Sequence, residues 1–172
     1  SWNLLLVNKQ HPIPEDYTFT LGTIKGVMKC DERILLPLAD LLEGAKQQDI
    51  NLIVCSPYRD TSRQEYLFDR KMKTYINRGY SYMDAYKEAS AVVTVPGASE
   101  HQIGISLDII CDEYALLDEG FGETEAGIWL KNNSYKYGFI LRYPQDKEDI
   151  TGIIYEPWHY RYVGVEAATY IY

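Results

Sequence analysis

Ser99-Glu100-His101-Gln102-Ile103-Gly104-Ile105-Ser106-Leu107-Asp108 joins a histidine-bearing turn to a strand, and the reading of the chain starts from it. Ile105, Leu107 and Ile109 alternate with Ser106 and Asp108, the period-two pattern of a half-buried strand. Asp108 therefore points away from the core that Leu107 and Ile109 enter. A second stretch, Glu156-Pro157-Trp158-His159, lies inside Gly152 to Val163, which reads as the final strand. On a regular strand Glu156 and His159, three apart, would face opposite sides. Pro157 has no N–H to give to a ladder and so marks an edge or a bulge, which lets both side chains turn to one site.

Outward from these stretches the chain mixes helices with short strands. Leu4-Leu5-Leu6-Val7, closed by Asn8 and His11-Pro12, reads as a short strand followed by an extended loop. Between Asp31 and Asp49 the residues Ile34, Leu35, Leu38, Leu41, Leu42 and Ala45 recur at three-and-four spacing, an amphipathic helix that Pro37 kinks or starts near Leu36. Ile50 to Cys55 reads as a buried strand ending at Ser56-Pro57. A helix capped by Asp60 or Thr61 runs to Gly79, and Ser81 with Asp84 forms the start of another that stops before Pro96-Gly97. Glu123 to Asn132 reads as a helix, Gly138 to Leu141 as a strand, and Pro144 to Asp149 as an acidic loop. This order implies one α+β domain over residues 1–172, a small antiparallel sheet flanked by helices.

With 172 residues, 46% of them hydrophobic, the chain is long enough for a sizeable core. Its formal charge of -8 and pI near 4.9 argue against a nucleic-acid partner, which requires clustered Lys and Arg. The densest basic stretch, Arg70-Lys71-Met72-Lys73, reads as a solvated helix face. Cys30, Cys55 and Cys111 are widely spaced and read as small buried residues, outside any disulfide framework or thiolate zinc knot. No run of about 18 apolar residues is present, so no segment of the chain reads as membrane-spanning. The chain opens at Ser1, which suggests a trimmed or mature form with a signal or membrane anchor upstream.

His101, Asp108 and His159 offer two imidazoles and one carboxylate, a set that zinc accepts in a tetrahedral shell with the fourth position left for water. Singly, each has a plainer reading: a loop histidine, a strand-end carboxylate, a residue of an aromatic strand. Together they weigh more, because two of only three histidines lie in acid-bearing segments. His11 stands apart and reads as a surface histidine. The helical HExxH zinc motif is absent, which leaves a site assembled from distant strands and loops.

The two stretches resemble the SxHxxGxxxD and ExxH motifs of the VanY-type D-alanyl-D-alanine carboxypeptidase family, related to VanX and VanXY dipeptidases, lysostaphin-like enzymes and hedgehog zinc domains. Ser56-Pro57-Tyr58-Arg59-Asp60 with Gln64, and Tyr137-Gly138-Phe139-Ile140-Leu141-Arg142-Tyr143-Pro144, are similar to further stretches of that family. The resemblance extends over nearly all of the chain from Leu4 onward. It implies the hedgehog/D-Ala-D-Ala peptidase-like fold, zinc held by His101, Asp108 and His159, and Glu156 as the base that returns its proton to the leaving amine. It implies too that Arg59 polarises the scissile carbonyl, that Tyr58, Gln64 and Ser99 lie near the bound peptide, and that Trp158 lines the pocket.

The implied reaction is removal of the C-terminal D-alanine from peptidoglycan stem pentapeptides or their precursors, on the outer face of the bacterial membrane or secreted, with a cytoplasmic precursor-trimming enzyme as the alternative. L,D-carboxypeptidase, D-Ala-D-Ala dipeptidase and cross-bridge endopeptidase activities remain open on the same scaffold, as does a non-catalytic zinc-stabilised binding module. The last need keep neither Glu156 nor Arg59. Pro57 replaces a usual Gly, and Ile103 and Ser106 replace Thr and Ala, departures that bear on substrate preference.

Overall fold

The computed structural model describes all residues, Ser1–Tyr172. Its elements, in chain order, are β1 (Leu21–Lys25), β2 (Met28–Asp31), α1 (Leu35–Lys46), β3 (Leu52–Ser56), α2 (Thr61–Asn77), α3 (Tyr82–Val92), β4 (Ser106–Cys111), α4 (Glu125–Asn133), β5 (Phe139–Leu141), α5 (Glu148–Thr151), β6 (His159–Tyr162) and α6 (Val165–Ile171). β3, β4, β6 and β5 form, in that order, a four-stranded sheet, antiparallel at every pairing. β1 and β2 form a separate hairpin. The α+β architecture expected from the sequence is the one observed.

The helix starts follow their caps. Asp60 accepts a hydrogen bond from the Arg63 amide at 2.7 Å and Ser81 from the Asp84 amide at 3.1 Å, so each supplies a partner that the first turn lacks. Pro37 sits in the first turn of α1, where its missing N–H costs nothing, and the helix begins at Leu35 after a 3-10 turn at Glu32–Ile34. Leu38, Leu41 and Ala45 of α1 join Leu107, Ile109, Leu130, Phe139 and Tyr160 in one cluster of 21 buried residues. Phe68 and Met72 of α2 pack with Ala85 and Ala89 of α3 in a small second cluster.

Several expectations fail. Trp2–Leu4 is a 3-10 turn and the segment after it pairs with no strand; the Asn3 and Leu5 carbonyls are taken by the Arg161 side chain instead of a ladder. The final strand is confined to His159–Tyr162, and the acidic loop contains α5. β3 is buried on one face only, leaving Ile53 and Cys55 exposed. β4, by contrast, is buried on both faces, since Ser106 and Asp108 point into a second, polar interior. The β1–β2 hairpin and α6 carry no signal that the periodicity reading caught.

Gly104 ends the turn before β4 with φ of +73°, and its carbonyl accepts the Asp31 amide at 2.8 Å. A Cβ there would stand 2.6 Å from a Phe19 ring carbon and 2.9 Å from the Asp31 nitrogen. Gly26, at φ of +56° in the β1–β2 turn, has open space around it. Urea unfolding is therefore expected to show a loss of about 1 kcal/mol for Gly26→Ala, the left-handed penalty alone, and about 2 to 4 kcal/mol for Gly104→Ala, where the clash adds. Equal losses would show that the close approach at Gly104 relaxes freely.

Candidate metal centre

Pairing of β4 with β6 places Asp108 directly opposite His159, with Leu107↔Tyr160 next to it on the core face and Ser106↔Arg161 beyond that, again on the site face. Side chains so paired stand about 5 Å apart at Cβ. His101 arrives from a 3-10 turn, Glu100–Ile103, which Ser99 starts by accepting the His101 amide and Gly104 ends. Asp108 Oδ1 lies 3.2 Å from His101 Nε2 and 3.3 Å from His159 Nδ1. One donor atom from each residue falls within 4.8 Å of the other two, and all three residues are buried.

The far nitrogen of each ring is occupied. His101 Nδ1 lies 2.9 Å from the Pro57 carbonyl, which only accepts, so that nitrogen carries the proton and Nε2 presents a lone pair. His159 Nε2 lies 3.3 Å from Glu100 Oε1, which leaves Nδ1 as the lone pair. Asp108 Oδ1, facing both, is buried without a hydrogen-bond partner. Three lone pairs thus converge with no donor between them, an arrangement a buried site sustains only around a cation or a proton. Two imidazoles and one carboxylate, each oriented by a further partner, are a donor set that fits zinc.

Charge within the cavity is unevenly held. Burial disfavours the Asp108 carboxylate, yet His101 and His159 keep it far below the usual range. Burial pushes His101 down, against the pull of Asp108. For His159 burial again opposes the charged form, but the adjacent Asp108 and Glu100 carboxylates win and raise it to about 9. Burial lifts Glu156 to about 8 in spite of His159 nearby. Without a cation, the proton needed among the converging lone pairs resides on His159.

Arg59 is built into the site from three sides. Ser56 Oγ accepts from its Nε at 3.1 Å and from an η-nitrogen at 2.7 Å, Gln64 Oε1 accepts at 3.3 Å, and Asp108 Oδ2 accepts at 3.2 Å. Gln64 gives its other end to the Thr94 carbonyl at 2.7 Å, so this fully buried amide orients the arginine and reaches the cavity only as wall. Glu156 donates its own amide to the Tyr143 carbonyl at 3.0 Å and precedes a turn at Pro157 and Trp158; its Oε1 lies 3.8 Å from His159 Nδ1. With no strand before His159, Pro157 and Trp158 swing the two side chains to the same side.

A cavity of about 210 Å³ opens over these groups, walled by Arg59, Gln64, Ser99, Glu156 and Trp158 together with the three candidate ligands. Trp158, only 8% exposed, belongs to the core as well. Tyr58 is not part of the wall; its ring packs edge-on to Phe19, 5.8 Å between centroids. Thr94 and Leu117 line the cavity and carry no motif that marks them in sequence; Tyr143, from the stretch similar to the family, lines it without having been singled out. Glu100 was equally hidden: a carboxylate on a turn reads as solvated, and the arginines that bury it come 42 and 61 residues later.

Comparison with known proteins identifies the family. The family model described as VanY, D-alanyl-D-alanine carboxypeptidase, matches residues 28–165. A D-alanyl-D-alanine carboxypeptidase of Enterococcus faecalis is 46% identical over 173 residues, covering 99% of this chain; the chain spans 62% of that relative's length. Among solved structures, VanYB in complex with D-alanine-D-alanine superposes with a TM-score of 0.92 at 45% identity, over 99% of this chain and 92% of that one. A variant of the vancomycin-resistance D,D-pentapeptidase VanY from a VanB-type cassette, in complex with Zn(II), gives 0.90 at 44% identity, over 99% and 93%. With two thirds or more of the matched structures covered and the motif residues gathered in one cavity, the chain belongs to the VanY family of D-alanyl-D-alanine carboxypeptidases.

Proposed function

We propose that residues 1–172 act as one zinc peptidase domain that removes the C-terminal D-alanine from peptidoglycan stem pentapeptides, outside the cytoplasmic membrane. No helix of the chain is long and apolar enough to cross a membrane. The observation that carries the reading is the convergence of three lone pairs on one point, with buried, unbonded Asp108 Oδ1 among them and Glu156 and Arg59 in the same cavity. His101, Asp108 and His159 would hold the ion. When bound, zinc supplies Lewis acidity and lowers the pKa of water toward about 7.

Glu156 would take a proton from the attacking water and hand it to the departing amine. Its raised pKa suits both halves, since a strongly acidic carboxyl would accept poorly and a weakly acidic one would not ionise. Arg59, held by Ser56 and Gln64, directs a guanidinium at the cavity where negative charge grows on the scissile carbonyl, and its preset orientation spares reorganisation during the reaction. The cavity of about 210 Å³ is smaller than sites that enclose drug-sized ligands, about 300 to 1,000 Å³, and so takes the end of a peptide. A binding module would have no use for the Glu156 and Arg59 placement.

Release of D-alanine from UDP-MurNAc pentapeptide, followed by mass analysis of the remainder, tests the reading. Chelator-sensitive loss of one D-alanine is the expected result; no cleavage of penta-, tetra- or dipeptide by zinc-loaded protein would overturn it. Glu156→Ala is expected to lower turnover by about 10²-fold to 10⁴-fold or more while zinc content stays at one ion per chain. Turnover near the parent value would remove Glu156 from the mechanism.

Acid should weaken metal binding. His159 is protonated below about 9 and Glu156 below about 8 in the metal-free protein, so zinc uptake at pH 7 is expected to release about one to two protons, read by calorimetry in buffers of different ionisation enthalpy. Zero release would contradict His159 as a ligand. The same raised His159 pKa lends the metal-free fold a stability that is full below about 6.5 and lost as pH rises through about 9.

A further inference from the structure

Behind His159 lies a buried cluster that the reaction does not use directly. Glu100, whose side chain is wholly enclosed, accepts from His159 Nε2 at 3.3 Å, Ser106 Oγ at 2.8 Å, Arg142 Nε at 2.7 Å and an Arg161 η-nitrogen at 2.9 Å. The other η-nitrogen of Arg161 donates to the carbonyls of Asn3 at 3.0 Å and Leu5 at 2.7 Å, and its Nε to the Tyr162 carbonyl at 3.1 Å. Arg161 is only 4% exposed, so each of these bonds replaces water that the guanidinium has lost. Trp2 is stacked on Tyr162, 5.8 Å between centroids and 13° from parallel, and the Arg33 guanidinium covers it at 3.8 Å. The Asn3 side-chain amide returns a bond to the Val163 carbonyl at 2.7 Å.

We infer that the N-terminal segment Trp2–Leu5 is a positioning element for His159, acting through Arg161 and Glu100. The path is continuous and made of directional contacts: two backbone carbonyls set the plane of the Arg161 guanidinium, that plane sets the Glu100 carboxylate, and the carboxylate sets the ring and tautomer of His159. The segment takes no part in a sheet; these contacts, the Trp2 stack, the Asn3 bond and the packing of Trp2 and Leu5 against the main core hold it. It lies outside the residues 28–165 matched by the family model, yet two of the hydrogen bonds that orient the site begin there. Arg161 suits the position because a planar fork serves the carbonyls on one edge and the carboxylate on another, which a lysine ammonium does not.

The inference rests on His159 facing the metal position, so its test separates ring position from metal loading. In the full chain, the double variant Trp2→Ala/Asn3→Ala loosens the segment without touching the cavity, Arg161→Lys breaks the fork, and Met72→Ala, in the separate α2–α3 cluster, is a control for general loss of stability. Imidazole ¹⁵N spectra of metal-free protein above pH 10, where the neutral ring shows its tautomer, are expected to move from one Nε2-protonated His159 species to a mixture in the first two variants and not in the control. Competition with a chromophoric chelator is expected to show zinc binding weakened about 3-fold to 10-fold by Trp2→Ala/Asn3→Ala, and about 10-fold to 100-fold by Arg161→Lys. Spectra and zinc affinity that match the parent in both variants, with folding retained, would overturn the inference. If the parent chain takes up no zinc, the metal reading fails while the spectra still decide the positioning role; tautomer mixing confined to Arg161→Lys would leave Arg161 in place and strike out the N-terminal segment.

Discussion

The register between β4 and β6 is the constraint on which the site depends. Leu107↔Tyr160 faces the core, and the neighbouring pair Asp108↔His159 faces the cavity, so one pairing fixes the hydrophobic interior and a carboxylate–imidazole pair together. A slip of a single residue would turn Leu107 and Ile109 toward the charges and Asp108 into the core, a change that buried apolar packing strongly resists. The energy that sets the register therefore comes mainly from the core face. The site face inherits it, and so keeps its geometry even though its own contacts are mostly between charged groups of little net benefit to stability.

Those charged groups are arranged in two layers. Asp108, against the cavity, meets His101, His159 and Arg59; Glu100, behind, meets His159, Arg142 and Arg161. His159 is shared, one nitrogen to each carboxylate. In the metal-free protein near neutral pH its ring is protonated and Glu156 is neutral. An ion of charge two that displaces both protons would leave the net charge of the enclosed groups unchanged. The cluster is thus balanced for a divalent cation without a change in its arginines, which are too basic to adjust.

Legibility from sequence followed the range of the interactions. The alternation at Ile105–Ile109 and the caps at Asp60 and Ser81 are local, and the strand and helices they announce are present. Pro157 likewise announced the break that brings Glu156 and His159 to one side. What escaped was set by contacts distant in sequence. Burial of both faces of β4 needs helices and turns from elsewhere, and Leu4–Val7, with its apolar run, reads as a strand although it pairs with none and gives its Leu5 carbonyl to Arg161. Glu100 stood beside a proposed ligand, but only Arg142 and Arg161 make it an interior residue. The expected roles of His101, Asp108, His159, Arg59 and Glu156 came from a resemblance in motif, and the fold brings those five residues around one cavity.

Three carboxyl groups share this interior and are pushed apart in proton affinity by their neighbours. Glu100 and Asp108 are as deeply buried as Glu156, and burial alone would raise all three. Glu100 receives two guanidinium bonds and Asp108 one, together with the two imidazoles, and both stay ionised. Glu156 receives no guanidinium bond; its ionic partner is His159, at 3.8 Å. It is therefore the carboxyl whose proton is exchangeable near neutral pH, and the others act as fixed charges. A cation held beside it would draw its pKa down from about 8 toward the working range, by the Coulombic effect that lowers any acid next to positive charge. Proton exchange near neutral pH and charge holding are thus divided among identical functional groups by the placement of three arginines.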